Sequence, residues 1–349
     1  MPQFTIPRLE RVIIGPQTVL GTVPNTAGVW TSTAAKLLRT GVNGCQMKAA
    51  APLTPVPWKT GTRSTQPGIV GRKSATWALP SMPVILSGTA GTPADSDILM
   101  AAIFGQAAGA VAAAVSVTYG FSDTNFPTFT LARFQHLLAG KSEQFAYGCT
   151  VEEASFALNG NVFEMSSSGR AYWALESENF ANEDVLGKGG LTAYPLELAT
   201  PTVVGAIQNG FTGIATFDAN VMDPTSAPLI ACSLRIRTGT VLYMDNFGNV
   251  YASTPGGGER AVSISADFQD SDSAAINNLK VKAKAKTPFN VTLQVGTIAG
   301  SICTFNIKSV QLELGNYSDD GARVKTSFGE SMAHASAIAN IDDVTMVHT

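Results

Sequence analysis

Charge is what this sequence has least of. Of its 349 residues only 14% are Asp, Glu, Lys or Arg, where a soluble domain usually carries about 25%. A solitary soluble monomer is expected to carry more. Much of the surface is therefore expected to be covered by other subunits, because interface cores are depleted in charge. The balance of 23 basic and 26 acidic residues leaves a net charge of −3. That argues against a protein that grips nucleic acid, since such affinity comes from Lys and Arg neutralising phosphates. It leaves room for a surface past which DNA slides without sticking. Cysteine is scarce: Cys45, Cys149, Cys232 and Cys303 lie far apart with no CxxC pair. A zinc ribbon and a thioredoxin-like site are both excluded, and buried, reduced thiols are expected. His136, His334 and His348 are the only histidines, and none has a second ligand-type residue four positions away on a helix. No GxSxG occurs, and no GxGxxG opens a helix. The opening MPQFTIPRLERV has no basic stretch followed by an apolar run, so no secretory signal is expected.

Near-matches to chemical motifs fail on inspection. Gly140-Lys141-Ser142 resembles the end of a phosphate-binding loop, but the glycine required five residues earlier is Gln135. The intervening FQHLLA reads as helix rather than as a cradle of backbone amides. Glu152, Glu153 and Glu164 flank Asn159-Gly160, a hairpin signal. Two adjacent glutamates are expected on opposite faces of a strand, which is no arrangement for a glycosidase pair. Lys280, Lys282, Lys284 and Lys286 form a basic stripe with a spacing of two. It reads as a solvated face or as a charge set complementary to acidic neighbours. No catalytic, cofactor-binding or metal-ligating residue is assigned, and an enzyme is not expected.

The best-defined stretch is Val84–Gly105. Val84, Ile85 and Leu86 end a β-like run, and Gly88 and Gly91 permit a sharp turn. Asp95 or Asp97 can cap a short helix with Ile98, Leu99, Ala102 and Ile103 on one face, and Gly105 is its stop. Ile98–Tyr119 carries no charge, but it divides into that helix, a glycine-marked turn and a β-branched strand rather than a membrane span.

The rest reads mainly as strands. Residues 1–60 are punctuated by prolines and are expected to form an N-terminal arm with little core of its own, with one short helix over 31–40. Residues 61–315 form the β-rich body, with a possible insertion at 178–260, and 316–349 form a C-terminal arm or fringe strand. Within the body, Tyr147–Glu152 and Ala154–Leu158 are expected as separate strands, and Pro255-Gly256-Gly257-Gly258 as a loop tip. Val262, Ile264, Ala266 and Phe268 alternate with polar residues. A second helix is expected over 272–285, capped by Asp272 or Ser273, with Ile276, Leu279 and Ala283 inward. A short helix followed by strands thus occurs twice, near 95–119 and near 273–307.

In order, SGTAGT with DSDILMAAIFG, CTVEEASFALNGNVFEMSSSGR, the 273–285 helix and FNVTLQVGTIAGSICTFNIKSVQLEL resemble the tail tube proteins of long-tailed bacteriophages, the likeness running over residues 25–315. WTSTAAKLLRT and Gly71-Arg72-Lys73 resemble that family's N-terminal section. The resemblance implies a mainly β, sandwich or barrel-like subunit with one or two short packing helices and extended terminal arms. It implies a virion structural protein: rings of six identical subunits, stacked into a hollow tube that conducts DNA into the host. The implied partners are other copies of the chain and the tape measure, tail terminator and tail tip proteins. DNA would pass through the lumen unbound, without membrane insertion or cofactor. The implied location is the virion tail, after assembly in the host cytoplasm. Alternatives are a β-rich tail fibre or adhesin module, which would present an aromatic cluster or a metal site, and a capsid-decorating protein.

Overall fold

The computed structural model describes residues 10–17, 20, 35–41, 43–54, 68–137, 140–159, 162–176, 213–222, 224–225, 227–243, 247–248, 250–319, 321, 323–334 and 343–349. Alternating apolar residues build nearly all of it into antiparallel sheets, as a chain with period-two patterning should. A large sheet of 12 strands faces a small sheet of 7, with two further two-stranded ribbons. The protein is therefore a mainly β sandwich with two short helices among the described residues, as its sequence leads one to expect.

In the middle of the large sheet, Gly140–Asn159 pairs with Phe129–Leu137, Glu164–Ala171, Trp173–Glu176 and Leu229–Arg237. Leu229–Arg237 pairs in turn with Ala261–Gln269, and that strand with Val324–Ala333. The small sheet runs in the order Asn220–Val221, Ile214–Phe217, Phe289–Val295, Cys303–Val310, Val344–His348, Ser116–Tyr119, Ala110–Ala112. Its strands following both helices meet across Val344–His348, so the twofold echo in the sequence has a counterpart in one sheet. Phe156 of the large sheet lies 5.0 Å from Phe305 of the small one, and Phe268 lies 5.3 Å from Phe217. These aromatic pairs mark the plane where the two inner faces meet.

Helix α1 (Asp97–Ile103) sits in this core rather than on it. Leu99, Met100, Ala101, Ala102 and Ile103 are all buried, so the helix is enclosed on every side and not amphipathic. Asp95 and Asp97 were the candidate caps. The N-cap is Ser96, which makes no capping side-chain bond. The Asp97 carboxylate instead accepts hydrogen bonds from the Tyr119 hydroxyl at 2.7 Å and the Gly109 amide at 3.3 Å. Burial and that carboxylate push the Tyr119 phenol well above its usual range. Gly105, at φ +69°, ends the helix as expected. Helix α2 (Ala274–Ala285) follows its sequence closely. Ser273 accepts from the Ile276 amide, and Ile276, Leu279 and Ala283 are the buried positions.

Several expectations need correction. The segment expected as an N-terminal arm with little core places Val12, Ile13 and Ile14 at full burial. Arg11–Pro16 lies between Lys36–Leu38 and Phe129–Leu137. Val12 and Ile14 belong to the main core, while Ile13 joins Ala132, Phe145 and Leu175 on the opposite face. A strand buried on both faces reads as a continuous apolar run, without the alternation that marks a strand. Lys36–Leu38 is strand where a helix over 31–40 was expected; the rest of that segment up to residue 34 lies outside the described residues. FQHLLA, read as helix, is strand through Leu137. Pairing with neighbouring strands overrides the weak helical propensity of both segments. At the other end, Val324–Ala333 and Val344–His348 are integral sheet strands rather than an arm. Within the 178–260 region, everything before Gly213 lies outside the described residues. Of Pro255-Gly256-Gly257-Gly258, expected to be a loop tip, the first three residues lie in the strand Thr254–Gly257, which pairs with Thr240–Tyr243. No described helix is long and apolar enough to cross a membrane.

All four cysteines are buried, unpaired thiols. Burial pushes Cys45 and Cys232 up to about 12, with Glu10 and Asp267 respectively adding to the effect. His348 is also buried, edge-on to Tyr119 with ring centroids 5.2 Å apart. Its Nε2 atom has no hydrogen-bond partner among the described residues. Burial lowers its pKa from 6.5 to about 4. The unfolded chain therefore binds a proton between those values that the folded chain refuses, so stability falls as pH drops from 6.5 towards 4. The loss amounts to about 3 kcal/mol for a shift of this size. The expected result is that His348→Leu flattens the fall in chemical-denaturation stability over that pH range relative to the parent. An unchanged pH slope would show that His348 does not titrate in this way.

Candidate functional site: a serine-lined sheet face and an uncharged edge

Strand alternation sends one set of side chains of the large sheet into the core and the other set outward. Ala154, Phe156, Leu234, Ile236, Val262 and Ile264 point inward. The outward set is small and hydroxylated. Ser166, Ser155, Arg235 and Ser263 lie opposite one another in sequence across four adjoining strands. Beside this row lie Ser168, Glu153, Arg237 and Ala261, and on its other side Glu164, Ala157, Ser233 and Ser265. The sequence reading missed this face. Its signal is the run of small polar residues at alternate positions in EASFALN, EMSSSGR, ACSLRIR and AVSISAD.

Every arginine on this face is held by a carboxylate. Arg235 makes a two-pronged contact with Glu153, Nε to Oε1 and Nη2 to Oε2, both at 2.9 Å, and reaches Glu330 at 2.8 Å. Arg237 lies 3.6 Å from Glu153, and Arg170 lies 2.8 Å from Glu152. Hydrogen bonds to Glu153 and Glu330 raise the Arg235 pKa, so its charge is permanent but already answered. Exposed pairs of this kind add little stability; their consequence is to remove cationic sites from the surface.

Glu152 and Glu153 were expected on opposite faces. A β-bulge between Val151 and Glu153 inserts an extra residue, and both glutamates reach an arginine on the outside. Tyr147–Glu152 and Ala154–Leu158 thereby become one strand, Gly140–Asn159, with a kink. Gly169 lies across from this bulge, and any Cβ there would collide with the Thr150 carbonyl oxygen. The backbone can close on the bulge only with glycine at that position. Glu164 accepts a hydrogen bond from Ser81 at 3.1 Å.

The second feature is an edge. Ala110–Ala112 is the last strand of the small sheet, and all three residues are exposed. It lies in a stretch, Ile98–Ser122, with no charged residue. Val111 and Val115 are 52% and 61% exposed. Gly91, at φ +70°, packs so tightly under this edge that a Cβ would meet the Ala112 oxygen and the Ala114 nitrogen, both at 2.5 Å. The SGTAGT turn thus serves as the floor of the edge. Exposed edge strands in lone proteins usually carry Lys, Pro or a bulge to prevent pairing; this one carries none of them.

The other sequence candidates fall into structural roles. The lysine stripe on α2 is used internally: Lys280 meets Asp270 at 2.5 Å, Lys282 meets Asp218 at 2.7 Å and Lys286 meets Glu313 at 3.0 Å. Hydrogen bonds from Lys282 and Lys280 lower the pKa of Asp218 and Asp270 respectively. Lys284 is exposed. Gly140-Lys141-Ser142 lies in a strand, not at a helix start. The side chain of His136 lies outside the described residues, and His334 is exposed. Among the described residues no group of metal-ligating side chains converges. The fold does assemble an aromatic cluster that the sequence did not reveal. Tyr172 stacks on Tyr251 at 5.0 Å, Trp173 meets Tyr251 edge-on at 5.9 Å, and the Lys73 ammonium lies 5.2 Å from the Trp173 ring centre.

Comparison with protein-family models and with curated proteins finds no match for this chain.

Proposed function

We propose that this protein is a tail tube subunit of a long-tailed bacteriophage virion, assembling with copies of itself into stacked hexameric rings around a conduit for DNA. The observation that carries this reading is the serine-lined face, whose arginines are all occupied by carboxylates. Duplex DNA presents about one negative charge per 1.7 Å of axis. A lumen that conducts it must be hydrophilic and must offer no row of uncommitted cations. The uncharged Ala110–Ala112 edge supports the same reading, because a neighbour's strand would extend the small sheet there and remove the edge. The low overall charge fits a subunit whose flanks are covered. In this reading the protein resides in the virion tail, the tape measure, terminator and tip proteins meet the finished tube, and no reaction is catalysed.

The aromatic cluster around Tyr251 favours the alternative, a tail fibre or adhesin module. Its rings, however, stack mainly on one another and on Lys73, which leaves them poorly placed as a platform for a ligand.

Negative-stain electron microscopy over a concentration series tests the proposal. Sixfold rings or hollow tubes are expected; compact monomers at every concentration would overturn it. The lumen assignment has its own test. Glu153→Gln combined with Glu330→Gln leaves Arg235 and Arg237 without their carboxylates. The double variant is expected to bind duplex DNA at least ~10-fold more tightly than the parent at low salt, with the gain lost as salt rises. Equal binding by both proteins in a gel-shift titration would show that the pairing does not hold DNA off.

A further inference from the structure

An apolar cleft of about 440 Å³ opens where the two sheets part, lined by Leu158, Ile214, Met222, Leu229, Leu293 and Val295. Among the described residues no charged side chain lines it. A cavity of ~150 Å³ already accommodates a benzene ring, so this one has room for an aromatic side chain with its neighbours. The molecule also displays an aromatic side chain of this kind. Phe247 is 105% exposed, in the connection between the ribbon strands Thr240–Tyr243 and Thr254–Gly257, and Val241, Tyr243 and Val250 of the same 240–257 segment are also exposed. Between Thr238 and Gly258 the only charged residue is Asp245.

Cleft and ribbon lie at opposite ends of one strand. Leu229 and Cys232, near the start of Leu229–Arg237, line the cleft. The ribbon begins at Thr240, just past the end of that strand, where the Thr238 amide is tied to the Glu152 carbonyl at 3.0 Å. It crosses that end of the sheet towards Lys73, whose amide donates to the Val250 carbonyl at 2.9 Å. The nine residues of the strand separate the two features by about 27 Å at roughly 3.4 Å per residue. A contact between features at opposite ends joins copies head to tail and cannot close as a symmetric pair.

We propose that the Phe247 ribbon tip of one copy inserts into the cleft of the next copy along the tube axis. The inference rests on the tube reading and specifies how successive rings are joined. Area decides how the contact behaves. One fully exposed aromatic ring and three partly exposed side chains offer on the order of 300–400 Å², against about 800 Å² per partner in a standard stable interface. A single insertion is too small to hold two free subunits together. Repeated around a ring, the insertions act together and their combined strength far exceeds that of one. Ring stacking is therefore steeply cooperative, and free subunits do not pair through this contact.

Two exposed-site variants test the contact without disturbing the core: Phe247→Ser removes the tip, and Ile214→Asp, at a cleft residue 44% exposed, places a charge in the cleft. Each variant alone is expected to form rings but to need at least ~10-fold more protein to stack. An equal mixture retains one intact tip and one intact cleft, so it is expected to give pairs of rings and no longer stacks. A photo-crosslinking amino acid at position 247 is expected to link to peptides containing Ile214, Met222 or Leu229 of another copy. If both variants stack like the parent, or the crosslinks map elsewhere, the contact is overturned while the tube reading stands. If the parent forms neither rings nor stacks, both fall.

Discussion

Trp77→Ala is expected to lower unfolding stability by about 3–5 kcal/mol, the range for losing a buried aromatic ring from a core. Trp77 is 2% exposed and packs edge-on against Phe129 at 5.4 Å. Its indole nitrogen also donates to the carbonyl oxygens of Thr150 and Arg170, at 3.1 and 3.2 Å. Those two carbonyls flank the bulge that sends Glu152 and Glu153 outward. The side chain therefore fills volume and also fastens the kinked strand to its neighbour. Trp77→Phe separates the two contributions. It keeps most of the ring but removes the indole N–H from both carbonyls, and about 1–3 kcal/mol of the loss is expected to remain. Urea denaturation of the three proteins gives the comparison. A loss below 1 kcal/mol in the alanine variant would mean that the core collapses around the gap and that the bulge does not need this anchor.

Val111→Lys is expected to weaken the proposed ring formation strongly while leaving the subunit folded. Val111 sits mid-way along the exposed edge strand, opposite Val117. A lysine on an edge is the device by which natural proteins keep sheets from joining. With the side chain half exposed, the substitution leaves subunit stability within about 0.5 kcal/mol. Every subunit in a ring would carry the change, so the cost recurs at each junction. The concentration at which rings appear is expected to rise by more than ~10-fold, read by electron microscopy and sedimentation, with the circular dichroism spectrum unchanged. Rings forming at the parental concentration would place the subunit junction elsewhere, most simply at another sheet edge.

The two assembly variants act on different junctions and should be separable. On the proposed assembly, Val111→Lys would act between subunits within a ring, whereas Phe247→Ser would act between rings. A sample of rings without tubes and a sample of monomers without rings are distinct images.

Local pattern was legible wherever one face of an element meets the core and the other meets solvent. The sequence by itself determined the β class, the Ala261–Gln269 strand and helix α2 with its serine cap and its three inward residues. It also determined the turn glycines at Gly91 and Gly105 and the scarcity of charge. These follow from short-range physics: alternation, capping and the φ angles that only glycine adopts freely. Tertiary structure decided the rest. Arg11–Pro16 is buried on both faces and so shows no alternation, which disguised a central strand as an arm. Helix α1 is buried all round, so its apparent amphipathic face carried no information about its surroundings. A bulge reversed the side of one glutamate relative to the strand's period, and a period-two argument cannot see an inserted residue. The pairing of each arginine with its carboxylate, the aromatic cluster and the cleft opposite the Phe247 ribbon each join residues distant in sequence. Such juxtapositions depend on which strands become neighbours, and the register that aligns Ser155 with Ser166 and Arg235 is fixed only when the whole sheet forms.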